Sequence, residues 1–292
     1  MIIELQSDSS LAKIETFGAE LISFKDVLGQ EYMWQKDAKY WAKCSPVLFP
    51  AIGNLRNGIV KIKGENYAIP KHGFCKDKEF KVMYQSKSKV ILNCSYDADT
   101  LKLYPYKFSL TLTYTLTGGE IEIGYTVLNL DEQPINYCIG AHPAFNVPIG
   151  EGSFEDFCLE FNKNEDSTCP IYDSENLQID VNKRIDYTKG GNMIQLSYSN
   201  FDSDAIIFDT INSNSVKLKS IKTGRGIQFD FMGFDSIAFW TPTKKAAPFI
   251  CIEPWNGMAV RSDEDDDYAN KFGVKHLAIN EQHNYKITVI PM

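Results

Sequence analysis

A strict alternation of apolar and polar side chains over residues 107–127 constrains the fold of this chain most strongly. The apolar positions of its first half are Phe108, Leu110, Leu112, Tyr114 and Leu116, with serine or threonine between them. After Thr117-Gly118-Gly119 the apolar positions become Ile121, Ile123, Tyr125 and Val127. A period of two is typical of a strand, and the Gly-Gly break indicates a turn. The stretch therefore predicts an antiparallel hairpin with one buried face.

Strand patterns recur along the rest of the chain. We predict strands at residues 2–5, 11–16, 19–25, 31–34, 215–221, 227–231 and 285–290. No apolar pattern with helical spacing lasts ~10–12 residues, and only short helical turns are expected near residues 99–103 and 262–270. No Gly/Ser- or Pro-rich linker divides the chain. We expect a large, all-β antiparallel sandwich or barrel that forms one domain over residues 1–292.

Composition and charge exclude several classes of function. The net charge is −8 and no basic patch stands out, so a nucleic-acid partner is not expected. No apolar run reaches the ~18–20 residues of a membrane span, and the first residues lack the pattern of a signal peptide. The seven cysteines are scattered and form no CxxC pair. These features predict a cytoplasmic protein with free, buried thiols.

Two irregular stretches place a titratable side chain among apolar residues. His142 lies between Ala141 and Pro143, and the proline favours an extended backbone for the residue before it. Glu253 ends an apolar run and is followed by Pro254 and Trp255. A carboxylate at the end of a buried strand needs a partner or acquires a raised pKa, which suits a general base. The alternative for Glu253 is a salt bridge at a strand end.

Two further irregular stretches carry polar groups. Residues 44–58 are apolar and interrupted by prolines, and they end with Asn54 and Arg56. The planar Arg56 guanidinium could bind hydroxyl or phosphate oxygens, or it could be solvated in a surface turn. His72 precedes Gly73, which suggests a close approach to the backbone, although a lone histidine is often structural.

Together these residues predict acid–base chemistry on a neutral polar ligand. The flat ring of Trp255 suits packing on a sugar. No metal-ligand triad with helical spacing, no glycine-rich phosphate loop that opens a helix and no serine nucleophile elbow is present in the sequence. We therefore expect neither a metal nor a cofactor.

The motifs resemble those of one known family, the aldose 1-epimerases (galactose mutarotases), most closely the bacterial LacX-like branch. They are residues 49–56 (FPAIGNLR), 71–74 (KHGF), 140–146 (GAHPAFN), 203–208 (SDAIIF) and 251–255 (CIEPW). The resemblance runs in order over nearly the whole length. It implies a β-sandwich of the galactose mutarotase type and interconversion of the α and β anomers of an aldose without metal or cofactor.

The resemblance also implies roles for single residues. Glu253 would be the general base on the C1 hydroxyl and His142 the general acid on the ring oxygen. His72 would help to hold and polarise the sugar. Arg56 and Asp204 would bind hydroxyls, with Asp209 as the competing aspartate if the alignment is shifted by five residues.

The pocket walls depart from the pattern of true galactose mutarotases. His72 stands in Lys-His-Gly-Phe, and Asp204 is followed by Ala-Ile. The same fold and acid–base pair serve hexose-6-phosphate 1-epimerases, for which Lys43, Lys71 and Arg225 are candidate phosphate ligands. The other alternative is a non-catalytic carbohydrate-binding or sensing protein. A monomer or a homodimer fits each of these functions.

Overall fold

The computed structural model describes residues 1–292 and consists mainly of short strands. In chain order the strands are β1 (Ile2–Gln6), β2 (Ser10–Glu15), β3 (Glu20–Asp26), β4 (Val47–Leu48), β5 (Ile59–Ile62), β6 (Glu65–Ala68), β7 (Lys81–Gln85), β8 (Lys89–Ser95), β9 (Phe108–Thr117), β10 (Glu120–Asn129), β11 (Ile135–Tyr137), β12 (Ile139–Ala141), β13 (Ala144–Asn146), β14 (Phe157–Phe161), β15 (Cys169–Asp173), β16 (Gln178–Ile185), β17 (Met193–Gln195), β18 (Ile206–Phe208), β19 (Ser215–Ser220), β20 (Gly226–Met232), β21 (Ser236–Trp240), β22 (Phe249–Asn256), β23 (Lys275–Leu277) and β24 (Gln282–Pro291). The only α-helix, α1, spans Thr100–Leu103. Short 3-10 turns occupy Arg56–Gly58, Cys75–Asp77, Phe154–Asp156, Tyr198–Phe201 and Tyr268–Asn270.

The larger sheet has nine strands and contains the hairpin that the alternation predicts. Its order is β17-β14-β19-β20-β24-β10-β9-β8-β7. In the β9–β10 hairpin the buried Tyr114 lies opposite the buried Ile123, which confirms both the pairing and the buried face. The predicted hairpin of residues 215–231 is confirmed as β19 and β20. The last strand, β24, lies between the two hairpins and joins them.

The smaller sheet carries the candidate site. It has six strands in the order β18-β21-β22-β12-β4, and β13 also pairs with β22. All eight residues of β22 are buried. A strand that is buried along its full length need not alternate, which explains why its first four residues, 249–252, form a continuous apolar run.

Aromatic contacts join the two sheets across the core. The ring of Phe145 in β13 lies 5.9 Å from that of Phe229 in β20, and Phe49, directly after β4, lies 4.9 Å from Phe108 in β9. These buried side chains belong to one apolar cluster that runs between the sheets. The protein is thus an antiparallel sandwich with a shared core.

One sequence prediction differs from the structure. Residues 31–34 form only isolated bridges instead of a strand. The reason is that the Glu31 carboxylate accepts hydrogen bonds from the backbone N–H groups of Phe24 and Met33, which removes donors from a regular ladder. The short helical turn expected near residues 262–270 is confirmed at Tyr268–Asn270, where the Asp267 side chain accepts a hydrogen bond from the N–H of Ala269 and caps the turn.

The remaining predictions on the helical turns and thiols agree with the structure. The turn near residues 99–103 is confirmed as α1. All seven cysteines are buried as free thiols. None of the helices has the length and apolar character that a membrane span requires.

Candidate active site

A cavity of about 300 Å³ opens beside the six-stranded sheet and brings most of the predicted site residues together. Its walls contain Asn54, His72, His142, Asp204, Glu253 and Trp255. These residues come from segments that are far apart in sequence, so the fold and not sequence proximity assembles the site. Residues that share one cavity with buried titratable groups form the default candidate for an active site.

The register of the six-stranded sheet explains why His142 meets Glu253. Gly140 of β12 lies opposite Trp255, and Ala144 of β13 lies opposite Cys251. Counting inward from both pairs places His142 opposite Glu253. The Nε2 atom of His142 lies 3.3 Å from Oε1 of Glu253. Pro143 interrupts the strand between β12 and β13, and its carbonyl oxygen accepts a hydrogen bond from the N–H of Ile252 at 3.0 Å.

Burial shifts the pKa values of the pair in opposite directions. The side chains of His142 and Glu253 are only 9% and 2% exposed. Burial disfavours the charged form of each group. It lowers the pKa of His142 to about 3 and raises the pKa of Glu253 well above 4.5, with the Asp204 charge adding to the rise and Lys71 opposing it. The pair therefore holds one proton over a wide pH range, with one group as acid and the other as base.

His72 is fixed as a neutral hydrogen-bond donor. The N–H of Gly53 donates to its Nδ1 at 3.1 Å, so in the neutral ring the proton resides on Nε2. Burial lowers the pKa of His72 well below 6.5, and the neighbouring His142 and Lys71 contribute to the effect. The rings of His72 and His142 lie 5.6 Å apart. His72 can thus donate a hydrogen bond beside the acid–base pair without carrying a charge.

The close approach predicted at Gly73 is confirmed, and the neighbour is backbone. A Cβ atom there would lie 2.0 Å from the carbonyl oxygen of Phe49. His72 itself has a left-handed backbone with φ of 63°, and its N–H donates to the Gly53 carbonyl at 3.0 Å. These contacts hold His72 and Gly73 against the segment that follows β4.

Two tryptophans that the sequence analysis did not select surround His142. Trp41 stacks on the imidazole with ring centres 4.8 Å apart and planes 24° apart. Trp240 presents its edge to the same imidazole at 5.8 Å. Both line the cavity, where they exclude water from the histidine and keep its pKa low. Trp41 lies in an irregular segment without periodicity, so its sequence carries no signal for this contact.

Two polar side chains on the cavity wall are held in place by neighbours. Asp204 Oδ1 accepts a hydrogen bond from Trp240 Nε1 at 2.8 Å. Asn54 Nδ2 donates to the Tyr172 hydroxyl at 2.9 Å, and Tyr172, which the sequence analysis also missed, lines the cavity. The competing Asp209 is absent from these walls and pairs with Arg184 instead, through Nη1 to Oδ2 at 3.0 Å.

Trp255 supplies an unsatisfied hydrogen-bond donor to the site. Its ring lines the cavity and is 5% exposed. Its Nε1 atom is buried and has no partner with hydrogen-bond geometry, although it lies close enough to the Glu253 carboxylate to lower the pKa of that group. A buried N–H without a partner costs free energy, so a ligand oxygen that accepts from it would bind favourably.

Arg56 is absent from the cavity wall, so the geometry gives no support to the role that the resemblance implies for it, binding a sugar hydroxyl. Its guanidinium donates to Oδ1 of Asp266 at 2.9 Å and to Oε1 of Gln178 at 3.1 Å. It also donates to the carbonyl oxygens of Arg261 and Glu264 at 3.2 and 3.0 Å. Four acceptors thus hold the guanidinium, and two of them, Asp266 and Glu264, belong to the acidic loop of residues 263–267. The Arg56 side chain therefore stabilises the loop of residues 263–267.

Lysines form part of the cavity wall. Lys43, Lys71 and Lys76 line it, and Lys76 was not considered from the sequence. Arg225, the third candidate phosphate ligand, is absent from these walls. It lies beside Gly150, where a Cβ atom placed on the glycine would be 3.6 Å from Arg225 Nη1.

One group of potential metal ligands lies within the same site. Ligand atoms of His142, Cys251 and Glu253 all lie within 4.8 Å of one another. Burial raises the pKa of the Cys251 thiol well above 9.0, so the thiol stays protonated, whereas a metal binds the thiolate. The trio therefore suits proton transfer between histidine and glutamate better than it suits a metal.

Comparison with known proteins gives a consistent set of relatives. The family model described as aldose 1-epimerase matches residues 1–267. Protein LacX (plasmid) of Lactococcus lactis subsp. lactis is 36% identical over 299 residues, which cover 99% of this chain and 100% of LacX. The chromosomal LacX of the same organism matches with the same identity and coverage.

Solved structures show the same fold. A galactose mutarotase-like protein from Lactobacillus casei matches with a TM-score of 0.93 at 28% identity, covering 100% of both chains. A galactose mutarotase related enzyme from Lactobacillus acidophilus matches with a TM-score of 0.91 at 28% identity, covering 100% of this chain and 97% of that one. The expected β-sandwich of the galactose mutarotase type is thereby confirmed.

Proposed function

The chain belongs to the aldose 1-epimerase family, and from this premise we propose that it interconverts the α and β anomers of an aldose. The observation that carries the proposal is the buried His142–Glu253 pair, with 3.3 Å between Nε2 and Oε1, in a cavity large enough for a sugar ring. Anomer interconversion needs an acid and a base at the two oxygens bonded to C1, the ring oxygen and the hydroxyl oxygen. A neighbouring acid and base that share one proton meet this requirement.

The reaction begins with ring opening. Glu253, in its ionised form, accepts the proton of the C1 hydroxyl while protonated His142 donates to the ring oxygen. The bond between C1 and the ring oxygen breaks, its electron pair stays on that oxygen, and C1 becomes an aldehyde carbon. Rotation about the C1–C2 bond presents the other face of the aldehyde. The hydroxyl then adds back to C1, returning its proton to His142, while Glu253 returns a proton to the new C1 hydroxyl.

The pair conserves its proton through this cycle. Ring opening converts ionised Glu253 and protonated His142 into neutral Glu253 and neutral His142, and closure reverses the transfer. The burial that lowers the pKa of His142 and raises that of Glu253 favours the second arrangement, in which both groups are neutral, so ring opening moves the pair toward its preferred protonation state. Neither proton has to exchange with solvent, so a cavity shielded by Trp41 and Trp240 suits the reaction.

The other cavity residues would bind and orient the sugar. His72 Nε2 and Trp255 Nε1 supply donors to ring and hydroxyl oxygens, and the indole face of Trp255 packs on the apolar face of a pyranose. Asp204 and Asn54 supply acceptors for hydroxyl protons. Fixed donors and acceptors hold the reacting atoms in place, which lowers the barrier without taking part in proton transfer.

Polarimetry or NMR exchange between anomers of galactose and glucose tests the proposal. Glu253→Gln and His142→Asn should each reduce the catalysed rate by about 10²- to 10⁴-fold, the contribution of a positioned acid or base. Matched controls are Glu160→Gln, which removes a surface ion pair with Lys219, and His276→Asn, which changes an exposed histidine bound to Asn136. Both controls should retain the full rate.

The result that contradicts the proposal is an uncatalysed rate of anomer exchange with every aldose tried. If calorimetry then showed binding of a sugar, the protein would be a carbohydrate-binding or sensing member of the family. The loss of activity in only one of the two site variants would contradict the pairing of acid and base but leave an epimerase in place.

A further inference from the structure

We propose that the sugar bound by this cavity carries an anionic group, which three lysines at the cavity mouth, Lys43, Lys71 and Lys76, hold in place. The proposal rests on the aldose 1-epimerase function proposed above and names the substrate class of the same site. It concerns an aldose with a phosphate or a carboxylate on a carbon remote from C1.

The lysines carry more positive charge than their surroundings neutralise. Asp77 is the one carboxylate shared by two of them, at 3.7 Å from Lys43 Nζ and 3.0 Å from Lys76 Nζ. Lys71 forms neither an ion pair nor a side-chain hydrogen bond, although it lines the cavity. The other carboxylates on the cavity wall, Asp204 and Glu253, are bound to Trp240 and to His142, so Lys71 adds a positive charge without an ion-pair partner in a protein whose net charge is −8.

The acid–base pair is more deeply buried than the lysines, and this difference implies an orientation for the bound sugar. The acid–base pair lies at the bottom, with its histidine and glutamate side chains 9% and 2% exposed. The side chains of Lys43 and Lys76 are 40% and 18% exposed, and Lys71 is exposed. A sugar whose C1 and ring oxygen reach the pair therefore directs another carbon toward the mouth. The exocyclic C6 of a pyranose extends beyond the ring and is suited to carry a charge there.

A neutral sugar has no charged group that these three lysines could bind. Its hydroxyls find donors and acceptors in His72, Asn54, Asp204 and Trp255, and none of them requires a cluster of ammonium groups. An anion, by contrast, is repelled at long range by an acidic protein unless cations line the entrance. Lysine is a common ligand of phosphate as a mobile point charge, and a carboxylate offers the same chemistry with less charge.

The anion could come from two sources, the phosphate of a hexose 6-phosphate or the carboxylate of a hexuronate. The experiment measures kcat/KM for anomer exchange with glucose, glucose 6-phosphate and glucuronate, and with the corresponding galactose series. A higher kcat/KM for either anionic sugar than for its neutral parent supports the inference, and the better of the two identifies the source. Equal or lower values for both anionic sugars overturn it.

Lys71→Met tests the residue assignment, with Lys78→Met as the matched control. Lys78 lies seven positions along the chain, pairs with Asp97 at 3.1 Å and does not line the cavity. Loss of a charged hydrogen bond should lower the ratio of kcat/KM for the anionic sugar to that for the neutral sugar by about tenfold in Lys71→Met. The control should keep the wild-type ratio. An unchanged ratio in Lys71→Met overturns the assignment.

Binding to an inactive variant separates this inference from the proposed epimerase function. Calorimetry with Glu253→Gln should show tighter binding of glucose 6-phosphate or glucuronate than of glucose, and the preference should weaken with added salt because the mouth is open to solvent. If no sugar is turned over by the wild type but this preference persists and needs Lys71, the epimerase proposal fails and the anion site stands. If neutral sugars are turned over and no preference exists, only the anion site fails.

Discussion

Replacing either partner of the buried pair should give the folded protein opposite pH dependences of stability. In Glu253→Gln the remaining histidine has a folded-state pKa of about 3 against an ordinary value of 6.5. Between these values the unfolded chain binds a proton that the folded chain does not. Stability is therefore present above pH 6.5 and is lost as the pH falls. The cause of the low pKa is burial first and then Lys71, and both persist in the variant.

His142→Asn leaves the glutamate, whose folded-state pKa is raised well above 4.5 by burial first and then by Asp204. Above pH 4.5 the folded chain keeps a proton that the unfolded chain releases, so stability falls as the pH rises. In the wild type the two effects cancel between pH 4.5 and 6.5, because the folded pair and the unfolded pair each hold one proton. This cancellation does not depend on which partner carries the proton in the folded state.

The size of the pH effect on the free energy of unfolding follows from the one proton by which the folded and unfolded states of each variant differ. A difference of one bound proton changes the free energy of unfolding by about 1.4 kcal/mol per pH unit. Relative to the wild type, Glu253→Gln should lose up to about 3 kcal/mol from pH 6.5 to 4.5, and His142→Asn should gain up to about 3 kcal/mol over the same interval. Urea denaturation of the three proteins at intervals of half a pH unit measures these slopes. Variant curves that run parallel to the wild-type curve would refute the account of a buried pair sharing one proton.

Three further substitutions test other parts of the site. Trp41→Ala removes the ring stacked on His142, and the hydrated imidazole should move the acid limb of the pH–rate profile upward by about one unit. Asp204→Asn keeps a residue type that tolerates the φ of 71° at this position but removes a charge that raises the pKa of Glu253; the alkaline limb should move to lower pH, and KM should rise. Arg56→Met should destabilise the fold by about 1 to 3 kcal/mol through lost hydrogen bonds to the acidic loop, while KM for the sugar stays unchanged; a large rise in KM would return Arg56 to the sugar site.

The sequence predicts the fold well wherever one face of a strand is buried and the other is solvated. The β9–β10 hairpin is the clearest example, since its inward residues alternate with threonine, serine or glutamate at every outward position except Gly124 and Leu128. The prediction is wrong at residues 31–34 because a side chain competes for backbone donors there. Such competition depends on where the Glu31 side chain folds back, and periodicity contains no information about that.

The candidate site is predictable to the extent that its residues have unusual neighbours. His142 before a proline and Glu253 after an apolar run are conspicuous in the sequence, and both reach the cavity. Trp41 and Tyr172 have ordinary neighbours, and only the fold brings them to the wall. Arg56 shows the opposite failure, because a motif can place a residue near a site while the direction of its side chain is set by acceptors about 210 positions later in the chain.

The position of Glu253 in the middle of the sheet has a cost that the proposed reaction explains. The residue lies in a strand whose eight residues are all buried, and a carboxyl group there lowers stability as the pH rises above 6.5, where the histidine no longer compensates. An apolar residue of similar volume would avoid that loss. The same burial, however, reverses the ordinary order of proton affinity, so that Glu253 holds the proton of the resting pair, and it excludes water from the site where that proton is used. The instability at neutral pH and the proposed catalysis therefore have one physical origin, and a substitution that relieves the first should abolish the second.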